Sequence, residues 1–139
     1  MALTFTIPLL PPSVNHYVKH LANGIHVKTA AAKAWENDFP IFSRGQYVVS
    51  ESQRFAVTLR YRMGPGDRGD VDNFNKLPLD CLSKAGMLRS RKLDWLSDAW
   101  VKRMTVEILD SDEDRALGPQ TEITIEALAA RIAAGKGRN

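Results

Sequence analysis

Phe55-Ala56-Val57-Thr58-Leu59-Arg60-Tyr61-Arg62 decides the fold. Phe55, Val57, Leu59 and Tyr61 alternate with Arg54, Thr58, Arg60 and Arg62. A period of two places one set on each face, so residues 54–63 read as a strand with one buried side. Gly64-Pro65-Gly66 closes it. Three further stretches repeat the pattern. Leu3, Phe5 and Ile7 alternate with Thr4 and Thr6 over residues 3–9, and Pro11-Pro12-Ser13 ends that strand. Met104, Val106 and Ile108 turn inward over 101–109, and Ile123, Ile125 and Ala127 share a face of the last strand. Asn23-Gly24 marks a turn, with a short strand possible at 25–27.

Helical patterns separate these strands. Thr29 is a suitable N-cap, because its hydroxyl can accept from a free amide of the first turn. A helix is expected from Ala30 to Phe39, with Ala31, Ala34, Trp35 and Phe39 buried and Pro40 stopping it. Residues 41–53 read as irregular. A second helical segment spans about 72–85 and ends at Gly86, a good residue just past a helix. Residues 87–97 form a basic loop and 110–119 an acidic one. The order strand, helix, strand, helix, strand, strand, each strand with one apolar face, implies an α+β fold. The expected architecture is a small mixed four-stranded sheet with helices packed mainly on one face, since a doubly wound sheet would want both faces apolar.

The chain has 139 residues, enough for one domain with a single core. Hydrophobic residues make up 44% and charged residues 25%, a globular rather than a disordered balance. No apolar stretch approaches the ~20 residues of a membrane span, and no secretory leader is recognised, so the cytoplasm is the expected compartment. The lone Cys81 excludes an internal disulfide and any zinc site with two cysteine ligands. His16, His20 and His26 show no metal-ligand spacing. There is no dinucleotide or Walker phosphate loop, because Gly64, Gly66 and Gly69 fit neither spacing. The net charge of +3 is mild. Its distribution says more: basic residues gather at Arg60, Arg62 and Arg68, then at Arg89, Arg91 and Lys92. A basic zone around a few carboxylates suits a polyanionic substrate held by a metal.

Those carboxylates lie in Asp70-Val71-Asp72-Asn73-Phe74-Asn75-Lys76. Two carboxylates ~4 Å apart repel by roughly 4 kcal/mol at an effective dielectric of 20, and a divalent cation between them reverses the sign. Hard oxygen donors favour Mg²⁺ or Mn²⁺. Were 72–85 helical, Asp72, Lys76 and Asp80 would share one face, with Lys76 aimed where Asp72 points. The plainer alternatives are a helix cap at either aspartate, or a surface Asp72–Lys76 pair worth ~0.3–0.5 kcal/mol. Pro78 adds a further choice: the helix is kinked there, or it starts nearer 76 and the acidic segment is a loop.

Pro11-Pro12-Ser13-Val14-Asn15 precedes this segment. Leu79-Asp80-Cys81-Leu82-Ser83-Lys84-Ala85-Gly86 follows it, and Ser97-Asp98-Ala99-Trp100-Val101 opens the next strand. In this order, the set resembles the RusA family of Holliday-junction resolvases over roughly residues 3–128. The resemblance implies one endonuclease domain over 1–128; residues 129–139, Ala-rich and then Gly-Lys-Gly-Arg-Asn, read as a flexible tail. It implies a homodimeric, Mg²⁺-dependent enzyme, with Mn²⁺ a substitute, that nicks two strands of four-way DNA junctions symmetrically. Such enzymes are typically phage- or prophage-encoded. By motif match, Asp70, Asp72 and Asp98 are the metal ligands and Lys76 a catalytic lysine. Contacts to branched DNA are expected from Asn15, Lys19, Arg68, Asn73, Arg89, Arg91 and Lys92. Asn73 matches the motif by pattern, with capping or orienting as its other expected role. Ser97 stands where the family usually has aspartate, and Asp94 competes with Asp98 as third ligand. Residues 88–95 look like an insertion whose Trp95 either stacks on an unpaired base or tucks into the core. Two rival functions share the fold: a non-catalytic junction-binding protein and a small-molecule phosphohydrolase.

Overall fold

The computed structural model describes residues 2–13, 18–20, 24, 26–90 and 100–129, with only the backbone at 18–20 and 26. All but the first residue of the expected tail at 129–139 and most of the 88–95 insertion, Trp95 included, lie outside them. Strands β1 (Ala2–Ile7), β5 (Phe55–Arg62), β7 (Val101–Leu109) and β8 (Gln120–Ala127) form one sheet in the order β1-β8-β5-β7. β8 runs antiparallel to both β1 and β5, whereas β5 and β7 are parallel. The sheet is therefore mixed, as the strand patterns imply. The parallel pair requires a crossover, and helix α2 (Lys76–Lys84) lies on it.

One face of the sheet is the core. Phe5, Ile7, Phe55, Val57, Leu59, Tyr61, Ile123 and Ile125 are all buried. Helix α1 (Ala30–Ser43) lays Ala32, Trp35 and Phe39 into the same cluster, and α2 adds Leu77, Cys81 and Leu82. Phe39 meets Phe5 edge to face at 5.5 Å and Trp35 at 5.6 Å. The opposite face is polar. Thr4 and Thr124 hydrogen bond at 2.9 Å, and Arg60 bridges Glu107 at 2.9 Å and Glu122 at 3.2 Å. Covering only one face explains the alternation in every long strand.

Several details depart from the sequence expectations. Helix α1 does not stop at Phe39 but continues through Pro40 to Ser43. Proline deletes one helical hydrogen bond, while the following turn still buries Ser43 and packs Phe42 against the core. Arg44, left-handed at φ 54°, then closes the helix by donating its amide to the Pro40 carbonyl at 3.0 Å. The buried stripe is also shifted by a position. Ala32 faces the sheet and Ala31 and Ala34 are exposed, because the two large rings of Trp35 and Phe39 set the helix rotation. Met104 turns to the core side yet is 42% exposed, because β7 is an edge strand of this sheet. Finally, the acidic stretch holds a short helix, α3 (Asp112–Ala116), with Ser111 and Asp114 forming a reciprocal capping box. Three acids in its first turn complement the positive end of the helix dipole, so that cluster has a structural role.

Short pairings complete the fold. β2 (Val18–His20) and β3 (His26–Lys28) form an antiparallel pair. β4 (Val48–Val49) runs parallel to β6 (Leu88–Arg89), inside stretches expected to be irregular or looped. Two-residue strands carry no readable period. Cys81 is 3% exposed, and burial pushes its thiol up to about 12.

Glu36 of α1 ties three elements together. It accepts from Lys28 of β3 at 2.5 Å and from Lys84 of α2 at 2.9 Å. Burial pushes its carboxyl up, but the two lysines outweigh that and hold it below the ordinary 4.5. A folded-state value below the unfolded one stabilises the fold above the unfolded pKa, and that contribution fades as pH falls through the folded pKa. The stability deficit of Glu36→Gln should therefore be constant near neutrality and close as pH falls through and below the ordinary carboxylate range, measured by urea unfolding at each pH.

Candidate active site

The acidic segment leaves the sheet at the end of β5 where three chain passages meet. Arg62 pairs with Leu109 of β7 on one side and Gln120 of β8 on the other. Met63 extends the ladder, its amide donating to the Leu109 carbonyl at 2.9 Å. The Gly-rich turn that follows is clamped from α3. One Arg115 guanidinium nitrogen donates to the carbonyls of Gly64 at 2.9 Å and Asp67 at 3.0 Å. The Asp67 carboxylate in turn accepts from the Gly64 amide at 2.7 Å. A Cβ on Gly64 would stand 2.8 Å from Pro119 Cδ, so only glycine lets the turn sit this close.

The distal end of the loop is held by Phe74. Its ring is 5% exposed and lies 5.2 Å from the Tyr61 ring. Gly69 lies against the tip of that ring, where a Cβ would come within 2.6 Å of Phe74 Cε2 and closer still to Cζ. Between these anchors the backbone turns back, with the Asn73 amide donating to the Asp70 carbonyl at 3.0 Å. Asp70 and Asp72 project from this turn, both exposed. Neither carboxylate makes a hydrogen bond or ion pair to a described residue, so the fold holds the backbone and leaves the oxygens open.

Helix α2 begins only at Lys76, with Asn75 as N-cap, so the acidic segment is a loop. This settles the Pro78 question. Proline sits at the third helical position, where its missing N–H would have had no helical partner anyway. The expected Asp72, Lys76, Asp80 face is corrected accordingly: only Lys76 and Asp80 share a helix, 3.9 Å apart as an i, i+4 pair. Neither aspartate is the helix cap.

The other expected site residues are scattered. Arg68 is exposed on the same loop and Asn73 is half-buried within it. Of the first basic cluster, Arg60 is engaged by Glu107 and Glu122, and Arg62 donates to the Gly118 carbonyl at 2.8 Å. That leaves Arg68 as the cluster member without a partner among the described residues. Arg89 lies on β6, its guanidinium 4.0 Å from the Tyr47 ring centroid and its Nε donating to the Gly86 carbonyl at 2.7 Å. Lys19 belongs to β2 by its backbone pairing with Val27. Asn15, Arg91, Lys92, Asp94 and Asp98 lie outside the described residues. The residue that follows their segment, Trp100, stacks on Phe55 at 6.3 Å, near the end of β5 opposite Tyr61. Among the described residues no group of three or more histidine, cysteine or acidic side chains is close enough to hold a metal. Asp70 and Asp72 are the two described carboxylates of the expected ligand set.

Tyr61, Asn75 and Arg115 escaped the sequence reading as site residues. Tyr61 alternates like any core residue. Asn75 looks like a second motif asparagine. Arg115 had one signal, a lone basic residue in an acidic run.

No family model matches the chain. Curated proteins do. The crossover junction endodeoxyribonuclease RusA of Escherichia coli strain K12 is 29% identical over 99 residues, 70% of this chain and 77% of the relative. At this level the chain is similar to RusA. The RusA of Enterobacteria phage 82 is 28% identical over 91 residues, 66% of this chain and 70% of the relative. That of Shigella sonnei strain Ss046 is 28% identical over 99 residues. The RusA relatives thus include a phage protein, and the match spans most of each chain. No helix among the described residues is long and apolar enough to cross a membrane.

Proposed function

We propose that the chain is a RusA-type endonuclease that resolves four-way DNA junctions as a homodimer, with Mg²⁺ as cofactor and Mn²⁺ as substitute. One observation carries the proposal. In a relative of junction nucleases, two exposed carboxylates one residue apart stand on a loop anchored at both ends, with no described protein group neutralising them. A donor set of hard oxygens fits a small divalent cation. Asp70 and Asp72 would hold it, with Asp98 as the proposed third ligand. When bound, the cation supplies the charge that lowers the pKa of a water and offsets negative charge on the phosphate.

The chain's own residues do the rest. Lys76, its side chain 61% exposed at the first position of α2 and 3.9 Å from Asp80, offers a cation to a phosphate approaching the loop. The positive end of the α2 dipole adds partial charge there. Arg68 and Asn73, placed on the loop itself, and Arg89 on β6 are the described groups proposed to track the DNA backbone. Asn15, Lys19, Arg91 and Lys92 complete that proposed set. A two-fold dimer presents two such sites to opposed strands, giving paired cuts.

The test uses a synthetic four-way junction and its linear duplex arms. Symmetric nicks in the junction, dependent on Mg²⁺ and absent in EDTA, are expected, with binding that weakens steeply as salt rises. Junction binding without nicking across many arm sequences would instead identify a non-catalytic binder. Hydrolysis of nucleotides with no action on DNA would identify a phosphohydrolase.

A further inference from the structure

Asn75 is the N-cap of α2, yet its side chain caps nothing. Asparagine there ordinarily accepts from the amide of the second or third helical residue, a bond worth about 1 kcal/mol. The third residue here is Pro78, which has no N–H to offer. The carboxamide turns the other way. Its Oδ1 accepts from the Tyr61 hydroxyl at 2.9 Å, and its Nδ2 donates to the Val71 carbonyl at 2.8 Å.

Val71 is the residue between the two aspartates, and it is itself 51% exposed. A hydrogen bond on its carbonyl fixes the peptide plane that joins Val71 to Asp72, and so the direction in which Asp72 leaves relative to Asp70. The other end of the relay is immobile. Tyr61 is fully buried in β5, and its ring packs on Phe74, which also backs Gly69 beside Asp70. A rigid strand thus reaches the carboxylate pair by two routes, one through ring packing and one through hydrogen bonds.

We propose that Tyr61 and Asn75 are positioning residues that set the spacing of the Asp70 and Asp72 carboxylates and thereby the affinity of the site for a divalent cation. The inference rests on the reading of that pair as a metal site. Groups that orient metal ligands without touching the metal commonly contribute 10- to 100-fold in metal affinity.

The experiment measures Mn²⁺ binding to the full-length protein by loss of the free-ion electron paramagnetic resonance signal. It compares wild type, Tyr61→Phe, Asn75→Ala and Asp72→Asn, with thermal melting in EDTA and junction binding without metal run in parallel. Tyr61→Phe removes a single hydroxyl and leaves the ring against Phe74, and Asn75→Ala removes the relay from a half-buried loop position, so two independent variants report. Both are expected to bind Mn²⁺ about 10- to 100-fold more weakly. Nicking should then recover towards the wild-type maximum as Mn²⁺ is raised, while metal-free junction binding stays unchanged. Folded variants with Mn²⁺ affinity within twofold of wild type, alongside an Asp72→Asn protein that has lost binding, would overturn the relay alone. Undiminished Mn²⁺ binding by Asp72→Asn would overturn the metal-site reading beneath it, and the relay with it.

Discussion

Replacing Asp72 by asparagine is expected to cut junction nicking by about 10²- to 10³-fold, the scale seen when one preorganised charge-stabilising group is lost from an active site. Asparagine keeps the shape of the side chain and removes its charge. Asp72 is exposed and bonds to no described residue, so the fold should lose nothing. Junction binding without metal should be unchanged or stronger, because a negative charge facing a polyanion has been removed. Asp70→Asn should behave alike. Single-turnover cleavage in Mg²⁺ together with a gel-shift titration in EDTA measures both quantities. Equal loss of binding and cleavage would point instead to a damaged loop, and full retention of cleavage would remove Asp72 from the site.

Gly69→Ala should be nearly as damaging without touching a charge. The added methyl would stand 2.6 Å or less from the Phe74 ring. That ring is 5% exposed and backed by Tyr61, so it has little room to retreat. Overpacking of this kind costs about 1–3 kcal/mol. The larger effect falls on function. Asp70 is the next residue, and a displacement of about 1 Å at a reacting group can cost about 10²-fold in rate. Denaturant melts should show the modest loss of stability and nicking assays the greater loss of rate. Phe74→Leu combined with Gly69→Ala should recover part of both, as expected for two residues that compete for one space. A Gly69→Ala protein with wild-type activity would show that the loop is not held by this contact.

The two effects separate what local pattern reveals from what packing reveals. Alternation in Phe55–Arg62, Leu3–Ile7 and Ile123–Ala127 was readable because a half-covered sheet imposes a period of two on every strand it contains. The short pairs β2–β3 and β4–β6 left little trace, since two or three residues cannot show a period. The end of α1 lies beyond the stop that Pro40 implies, because proline's local penalty is outweighed by the side chains that the last turn delivers to the core. The start of α2 was open until Pro78 was placed in the first turn, where its missing amide has no partner to lose. Similarly, Arg60 and Arg62 read as substrate-facing charge, yet the strands on either side and the turn above supply their partners from residues 47 to 62 positions away.

By itself, then, the sequence determined the α+β class, the inward face of the long strands and the acidic segment on which the proposed chemistry depends, because each is a property of neighbouring residues. Only the tertiary structure decided how that segment is held. The segment from Gly64 to Lys76 is fixed by Arg115 at its start and by Tyr61 at its end, through hydrogen bonds that close across 48 to 51 and 14 residues of chain respectively. Contacts of that span are set by which surfaces the folded core brings together, and no local pattern encodes them.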